Sequence, residues 1–354
     1  MTLKKIFQKI KPEELYKQFE QVKHYGKLPT TGMEVNHRAA YDMTSRSIRD
    51  FHWREKAAEE LAKVVTKTTD KLGLKKFPEN TEYSNYASIL KNDGWATIPN
   101  ILSNQEIDDI NEYVKDKPII DFYNKHEVFL LDNIPKETNV GRYTPKFNLN
   151  CPHIFKALNH PSVLKIAEEF LGAKPTLSVV LLMWSFNNGN AAQQMQKFHR
   201  DNDDYKFCKV FILLNDVEDL EDGPHLYIKN SHSQNEVSKY IDKLSITPEE
   251  KQKKLEQVFA GAPNHRYDDE LINQIFSQEK FAYHLGKKGT TIMENTWGIH
   301  KGVPPVRKHR FILQAQFSLQ PSPMFTYKPL KIKGYKSDKT LDYVNRVYVK
   351  NKKY

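Results

Sequence analysis

Phe198-His199-Arg200-Asp201 and, about a hundred residues on, Gly298-Ile299-His300-Lys301-Gly302 hold residue types that bind catalytic metals. Two imidazoles and one carboxylate form the facial set that holds iron(II) from one side and leaves the other side open for oxygen; zinc or manganese accept similar groups. His199 and Asp201 stand two apart, so on a strand both side chains leave the same face. The third ligand must come from elsewhere. His300 is the best placed, in a glycine-flanked turn over 295–302 where Gly302 leaves room for a ligand. His225, His232, His284 and His309 compete for that place. His225, in Gly223-Pro-His-Leu-Tyr-Ile228, reads as a structural residue near the site or a substrate contact. By itself the His-x-Asp pair is a weak signal in a chain with 13 His and 44 Asp plus Glu.

Arg310 opens the alternating stretch Arg310-Phe-Ile-Leu-Gln-Ala-Gln-Phe-Ser, which puts Arg310, Ile312, Gln314 and Gln316 on one face and His309 on the other. A guanidinium inside an apolar barrel needs a partner, because an unpaired buried charge is costly. Its planar fork matches a carboxylate, and the distal carboxylate of 2-oxoglutarate would satisfy it while the oxo-acid end chelates the metal and one position stays open for O2. Arg307 is the rival clamp, but it lies in a loop. Asp203 and Asp204 read as turn or surface carboxylates.

The elements that must position these residues are legible as patterns. Leu15, Phe19 and Val22 repeat at helical spacing after Pro12 and stop at Gly26, and a second helix is expected over 45–72. Nothing in these helices looks chemical, and they suit packing on the back of a sheet. A short helix over 86–92 precedes a strand over 94–99. Ser103-Asn-Gln-Glu106 is a capping box opening a helix with Ile107, Ile110 and Val114 on one face. A helix over 162–171 stops at Gly172. Strands then dominate, over 177–186, 209–214, 225–228, 290–294 and 310–319, with helices over 247–257 and 268–276 as an insert. Many short strands with turn signals argue for a sandwich or barrel. The domain reading is an N-terminal helical extension over 1–84, a catalytic domain over 85–320 with a helical insert at about 234–280, and a basic C-terminal tail over 321–354.

The chain has 354 residues and a formal charge of +10. Residues 1–30 carry a net +4 and residues 327–354 a net +7, which leaves −1 between them. Basicity therefore sits at the ends, either as solvated faces or as peripheral contact with an anionic surface, and the near-neutral middle gives no expectation of nucleic acid. Mean hydropathy is −0.69, no apolar run reaches membrane-span length, and the first residues lack a secretory pattern. Cys151 and Cys208 cannot build a disulfide framework, and Cys208 sits in an apolar strand pattern as a core residue. A reducing, cytoplasmic location is the default expectation.

The order of these segments resembles the phytanoyl-CoA dioxygenase-like family of Fe(II)/2-oxoglutarate-dependent oxygenases. The likeness runs from Leu90-Lys-Asn-Asp-Gly-Trp-Ala-Thr-Ile-Pro-Asn-Ile-Leu-Ser through Gln196-Lys-Phe-His-Arg-Asp, Phe211-Ile-Leu-Leu-Asn-Asp-Val-Glu and Gly223-Pro-His-Leu-Tyr-Ile-Lys-Asn-Ser-His232. It closes with Gly289-Thr-Thr-Ile-Met-Glu-Asn-Thr-Trp-Gly-Ile-His-Lys-Gly and Arg310, so it covers roughly residues 85–320. One departure is Lys229-Asn-Ser-His where family members often have Pro-Gly-Ser-His, which implies a changed loop rather than lost chemistry. The resemblance implies a mainly β (α+β) fold, a double-stranded β-helix or jelly roll with helices packed on one sheet. It makes His199, Asp201 and His300 the iron ligands and Arg310 the 2-oxoglutarate anchor. Related halogenases lack the metal-binding acid, so Asp201 favours hydroxylation over halogenation and leaves desaturation or ring chemistry at the same centre open.

The expected activity is hydroxylation of a C–H bond in a small, anionic or carrier- or glycan-linked substrate, with His225, Trp184 and Trp297 as candidate substrate contacts. Two rival readings are a zinc- or manganese-dependent hydrolase or isomerase at the same ligands, and a noncatalytic jelly-roll binding protein.

Overall fold

The computed structural model describes residues 51–261, 266–321, 329–332 and 334–350. The helix expected over 12–26 lies outside them. The longer N-terminal helix is described as α1 (Phe51–Lys71), followed by α2 (Thr81–Asp93), β1 (Trp95–Ile98) and α3 (Asn104–Val114). Three short strands come next: β2 (Ile119–Asp121), β3 (Val128–Phe129) and β4 (Val140–Arg142). Helices α4 (Pro145–Asn150), α5 (Ile154–Leu158) and α6 (Pro161–Leu171) lead into β5 (Thr176–Ser185), β6 (Phe198–His199), β7 (Phe207–Leu213) and β8 (His225–Ile228). The insert holds α7 (Gln234–Asp242), α8 (Pro248–Glu256), β9 (Arg266–Tyr267) and α9 (Asp269–Ile275). Last come β10 (Phe281–Tyr283), β11 (Thr291–Glu294), β12 (His300–Gly302), β13 (Arg310–Ser318) and α10 (Lys339–Val344).

The strands form two antiparallel sheets, one ordered β1-β11-β7-β13-β5-β4-β2-β3 and one ordered β10-β8-β12-β6-β9. This is an α+β fold. Strand alternation divides the larger sheet into two faces. Val180, Leu182, Cys208, Val210, Ile212, Phe311, Leu313 and Ala315 pack with the helices in the main core. The residues between them, among them Leu181, Met183, Phe211 and Ile312, face a cavity. The insert builds its own apolar cluster from Val237, Ile241, Val258, Ile272 and Ile275 against Leu226 and Ile299, which anchors it to the smaller sheet. The C-terminal segment is a basic tail in charge only. Tyr343, Val344, Val347 and Tyr348 are buried in the main core, so an aromatic and aliphatic stripe holds the basic residues around it to the body.

Local signals explain the helix ends. Asn80 caps α2 by accepting from the backbone N–H groups of Glu82 and Tyr83, and Gly94 ends it at φ 77°. A Cβ there would lie 1.9 Å from Tyr227 Oη; one at Gly298 would lie 2.0 Å from the same atom. The Tyr227 phenol thus needs both glycines. Asn230, where the family pattern has glycine, adopts φ 64°, a left-handed turn asparagine tolerates better than other side chains.

The capping box at Ser103 and Glu106 forms as expected, and Lys156 of α5 also bonds the Glu106 carboxylate. These bonds hold the carboxyl down at about 2 from its ordinary 4.5. A depressed carboxyl stabilises the fold while ionised, above its unfolded value, and the benefit is lost as pH falls. The stability gap between the wild type and Glu106→Gln, measured by urea unfolding, is expected to be widest above pH 4.5 and to close as pH falls towards about 2. Among the described residues no helix is long and apolar enough to cross a membrane.

Candidate functional site

His199 on β6 and His300 on β12 are direct antiparallel partners, with ring centroids 4.2 Å apart. The sequence pattern put His300 at a loop end; it is instead the first residue of a short strand, held opposite its fellow ligand. Asp201 lies just past the end of β6, fixed by its backbone N–H donating to Thr296 O at 2.9 Å. Pairing stops at His199 because β12 contributes a single partner there. Even so, Asp201 joins the two histidines: one ligand atom from each of the three lies within 4.8 Å of the others.

Both imidazoles are oriented by the same local device. His199 Nδ1 lies 2.8 Å from Lys197 O, and His300 Nδ1 lies 2.9 Å from Gly298 O, each the carbonyl two residues back. A carbonyl only accepts, so Nδ1 carries the proton and Nε2 is left as a donor atom for a metal. His300 Nε2 is 3.3 Å from Asp201 Oδ2, and His199 Nε2 is 3.8 Å from Oδ1. Burial, then the His300 charge, hold His199 well below its ordinary range, so its imidazole is neutral. Burial opposes ionisation of Asp201, but Lys209 and the two histidines outweigh it and keep the carboxyl well down. Burial opposes protonation of His300, but the Asp201 carboxylate outweighs it and raises that imidazole above its ordinary range. Two imidazole nitrogens and one ionised oxygen, all turned to one point, fit a divalent first-row ion.

The same cavity, about 290 Å³, is lined by Val179, Leu181, Met183, Phe211 and Ile312, with Arg310 and Ser185 in its wall. Arg310 is buried; its Nη1 donates to Gly223 O and its Nη2 to Ser185 Oγ at 2.9 Å. Its Nε has no hydrogen-bond partner, and no carboxylate among the described residues pairs with it. Burial alone pushes the guanidinium down to about 10. A Cβ on Gly302 would sit 3.1 Å from Arg310 Nη2, so the glycine, which also lines the cavity, makes room for the guanidinium. Arg307 pairs instead with Asp219 and Asp222 in its loop.

His225 lines the cavity and bonds the wholly buried Glu294 through Nε2 at 2.7 Å. Burial pushes Glu294 up to about 8, and burial with the neighbouring cations pushes His225 well down. His232, His284 and His309 bond Lys91 O, Thr290 O and Asn187 N respectively, away from the ligand cluster.

Two expected substrate contacts fall elsewhere. Trp184 lies one residue out of phase with Met183 and Ser185, so it faces the helices, stacked 4.2 Å from Phe311 with its indole N–H on Tyr143 Oη. Trp297 lines a separate cavity, under the Arg54 guanidinium at 3.9 Å. Arg54 also bonds Asn202 Oδ1 at 2.7 Å and Asp204 O, so α1 braces the loop after Asp201. The N-terminal helix therefore does touch the site's support.

Neither Asp203 nor Asp204 is a surface carboxylate. Asp203 lines the cavity within 3.3 Å of Lys209 Nζ, and Asp204 is buried, accepting from the backbone N–H groups of Tyr205, Leu319 and Gln320. Sequence reasoning also missed Arg200, between the two ligands. Its guanidinium donates to Trp297 O, Ser231 O, Val258 O and Tyr267 Oη, tying the β6 end to the His300 loop and to the insert.

No protein-family model matches this chain, and no curated protein matches it. Solved structures resemble it in outline. The non-heme alpha-ketoglutarate-dependent epimerase SnoN from nogalamycin biosynthesis aligns at 13% identity over 73% of this chain and 97% of its own, with a TM-score of 0.46. HygX from Streptomyces hygroscopicus, solved with nickel and 2-oxoglutarate, aligns at 13% over 72% and 91%, TM-score 0.40. AviO1 from Streptomyces viridochromogenes Tue57 aligns at 10% over 68% and 96%, TM-score 0.40.

Proposed function

We propose that this chain is an Fe(II)- and 2-oxoglutarate-dependent oxygenase that hydroxylates a C–H bond, on a double-stranded β-helix core spanning about residues 85–320. The observation that carries the reading is Arg310: a buried guanidinium without an acid partner among the described residues, in the wall of the cavity that also holds His199, Asp201 and His300. Leaving such a charge unpaired is expensive, and a ligand carboxylate is what relieves it. Bound there, iron(II) and 2-oxoglutarate would supply the oxidising chemistry, with succinate and CO2 as the cosubstrate's products.

The chain's own residues position and exclude. His199, Asp201 and His300 would hold the ion from one side. Arg310 and Ser185 would orient the distal carboxylate of the oxo acid. Met183, Phe211 and Ile312 give the cavity an apolar stretch of wall beside its polar groups, against which the reacting carbon would lie. Phe122, Tyr123 and Met195, on the segments before β6, complete the lining and would meet the substrate. The resemblance to the phytanoyl-CoA dioxygenase-like pattern supports the same assignment, and Asp201 favours hydroxylation over halogenation. A small molecule, or the reacting end of a carrier- or glycan-linked one, suits a cavity of about 290 Å³ that must also admit the oxo acid.

Anaerobic titration with iron(II) and then 2-oxoglutarate is expected to raise the weak visible charge-transfer band of the chelate, and admitting air is expected to yield succinate. Metal binding without that band, or turnover indifferent to 2-oxoglutarate, would favour a hydrolase or isomerase instead.

A further inference from the structure

Lys209 sits on the inward face of β7, opposite Glu294 on one side and Gln316 on the other, and is 6% exposed. Its Nζ lies 2.6 Å from Asp201 Oδ2 and 3.3 Å from Asp203 Oδ2. Charge-assisted bonds of this length are strong, and the Lys209 side chain is itself buried. Asp201 Oδ2 therefore meets a cation whether or not a metal is present. Oδ2 also lies 3.3 Å from His300 Nε2, so that oxygen is engaged twice, whereas Oδ1, 3.8 Å from His199 Nε2, has no hydrogen-bond partner among the described residues.

We propose that Lys209 is a positioning residue that shares Asp201 with the metal: it occupies Oδ2, so the carboxylate offers Oδ1 alone to the ion and binds it less tightly than an unshared carboxylate would. The inference rests on the metal-site reading above. Its consequence is an open site. A carboxylate gripping through both oxygens takes a second coordination position, one that a chelating oxo acid needs. Two effects of removing Lys209 oppose each other in metal affinity. Partners that orient ligands are typically worth about 10–100-fold. A like charge one carboxylate away from the ion acts in the other direction. Asp201 is already fixed by its backbone bond to Thr296 and by its place beside His300, so relief of repulsion wins.

Manganese(II) titration of the full chain by calorimetry, followed by 2-oxoglutarate titration of the manganese-loaded protein, separates these roles. Lys209→Met is expected to bind manganese about tenfold more tightly, from relief of the like charge, and 2-oxoglutarate about tenfold more weakly. Lys209→Arg, which restores a cation beside Oδ2, is expected to return both towards the wild type. If Lys209→Met does not fold, Lys209→Gln keeps an N–H donor without the charge and goes through the same titrations with shifts of the same sign. Affinities that both stay at wild-type values, or both fall together, overturn the proposal. A wild-type protein that binds no metal overturns the functional reading itself, and this inference with it.

Discussion

Asp201→Asn is expected to abolish iron(II) binding and turnover while leaving the fold intact. The amide keeps the shape of the carboxylate, and its oxygen can still accept from Lys209, so the buried ammonium is not stranded. What disappears is the one negative charge in a ligand set whose other members are imidazole nitrogens. Losing a residue that merely orients a ligand costs about 10–100-fold in affinity, so losing the charged ligand should exceed about 100-fold. Anaerobic equilibrium dialysis against iron(II), with thermal unfolding as the fold control, reads both halves. Iron bound as tightly as by the wild type would remove Asp201 from the site.

Arg310→Met is expected to separate affinity from stability. Hydrogen bonds to charged groups contribute about 1.5–3 kcal/mol each, so losing a two-pronged hold on the distal carboxylate should weaken 2-oxoglutarate binding by at least about 100-fold. The ligand-free protein, by contrast, should unfold at no lower temperature. The guanidinium is buried without a countercharge, and an apolar chain of similar length fills the same space without that desolvation cost. A purely structural arginine would give the reverse: lower stability, with 2-oxoglutarate affinity unmoved.

Much of the scaffold was legible because it obeys short periods. The phase of β13 separates Arg310, Ile312 and Gln314 from the core residues between them, and the expected stop at Gly172 is a left-handed cap; Gly94, read as the start of a strand, is another. The same phase rule, applied to β5, places Trp184 with the core, since it alternates with Met183 and Ser185. Lys209 was also within reach. It is a lysine in step with Phe211 and Leu213 in the strand Phe207–Leu213, and a charge on an inward apolar face asks for a partner. Other parts lay beyond local pattern. Strands β2, β3 and β4 have only two or three residues each, too few for a period to declare itself. The Arg54 bond to Asn202 spans 148 positions of sequence, and nothing in a solvated-looking helix announces it.

Arg200 has one more consequence. Because its single guanidinium is shared among the ligand strand, the Ser231 turn, the Trp297 loop and, in the insert, Val258 and Tyr267, none of these can swing open alone without loosening a buried cation. They should exchange their amide hydrogens as one cooperative unit. Anything that tightens the ligand cluster would then slow exchange in the insert, so that distant helical segment becomes a natural reporter of whether the centre is filled.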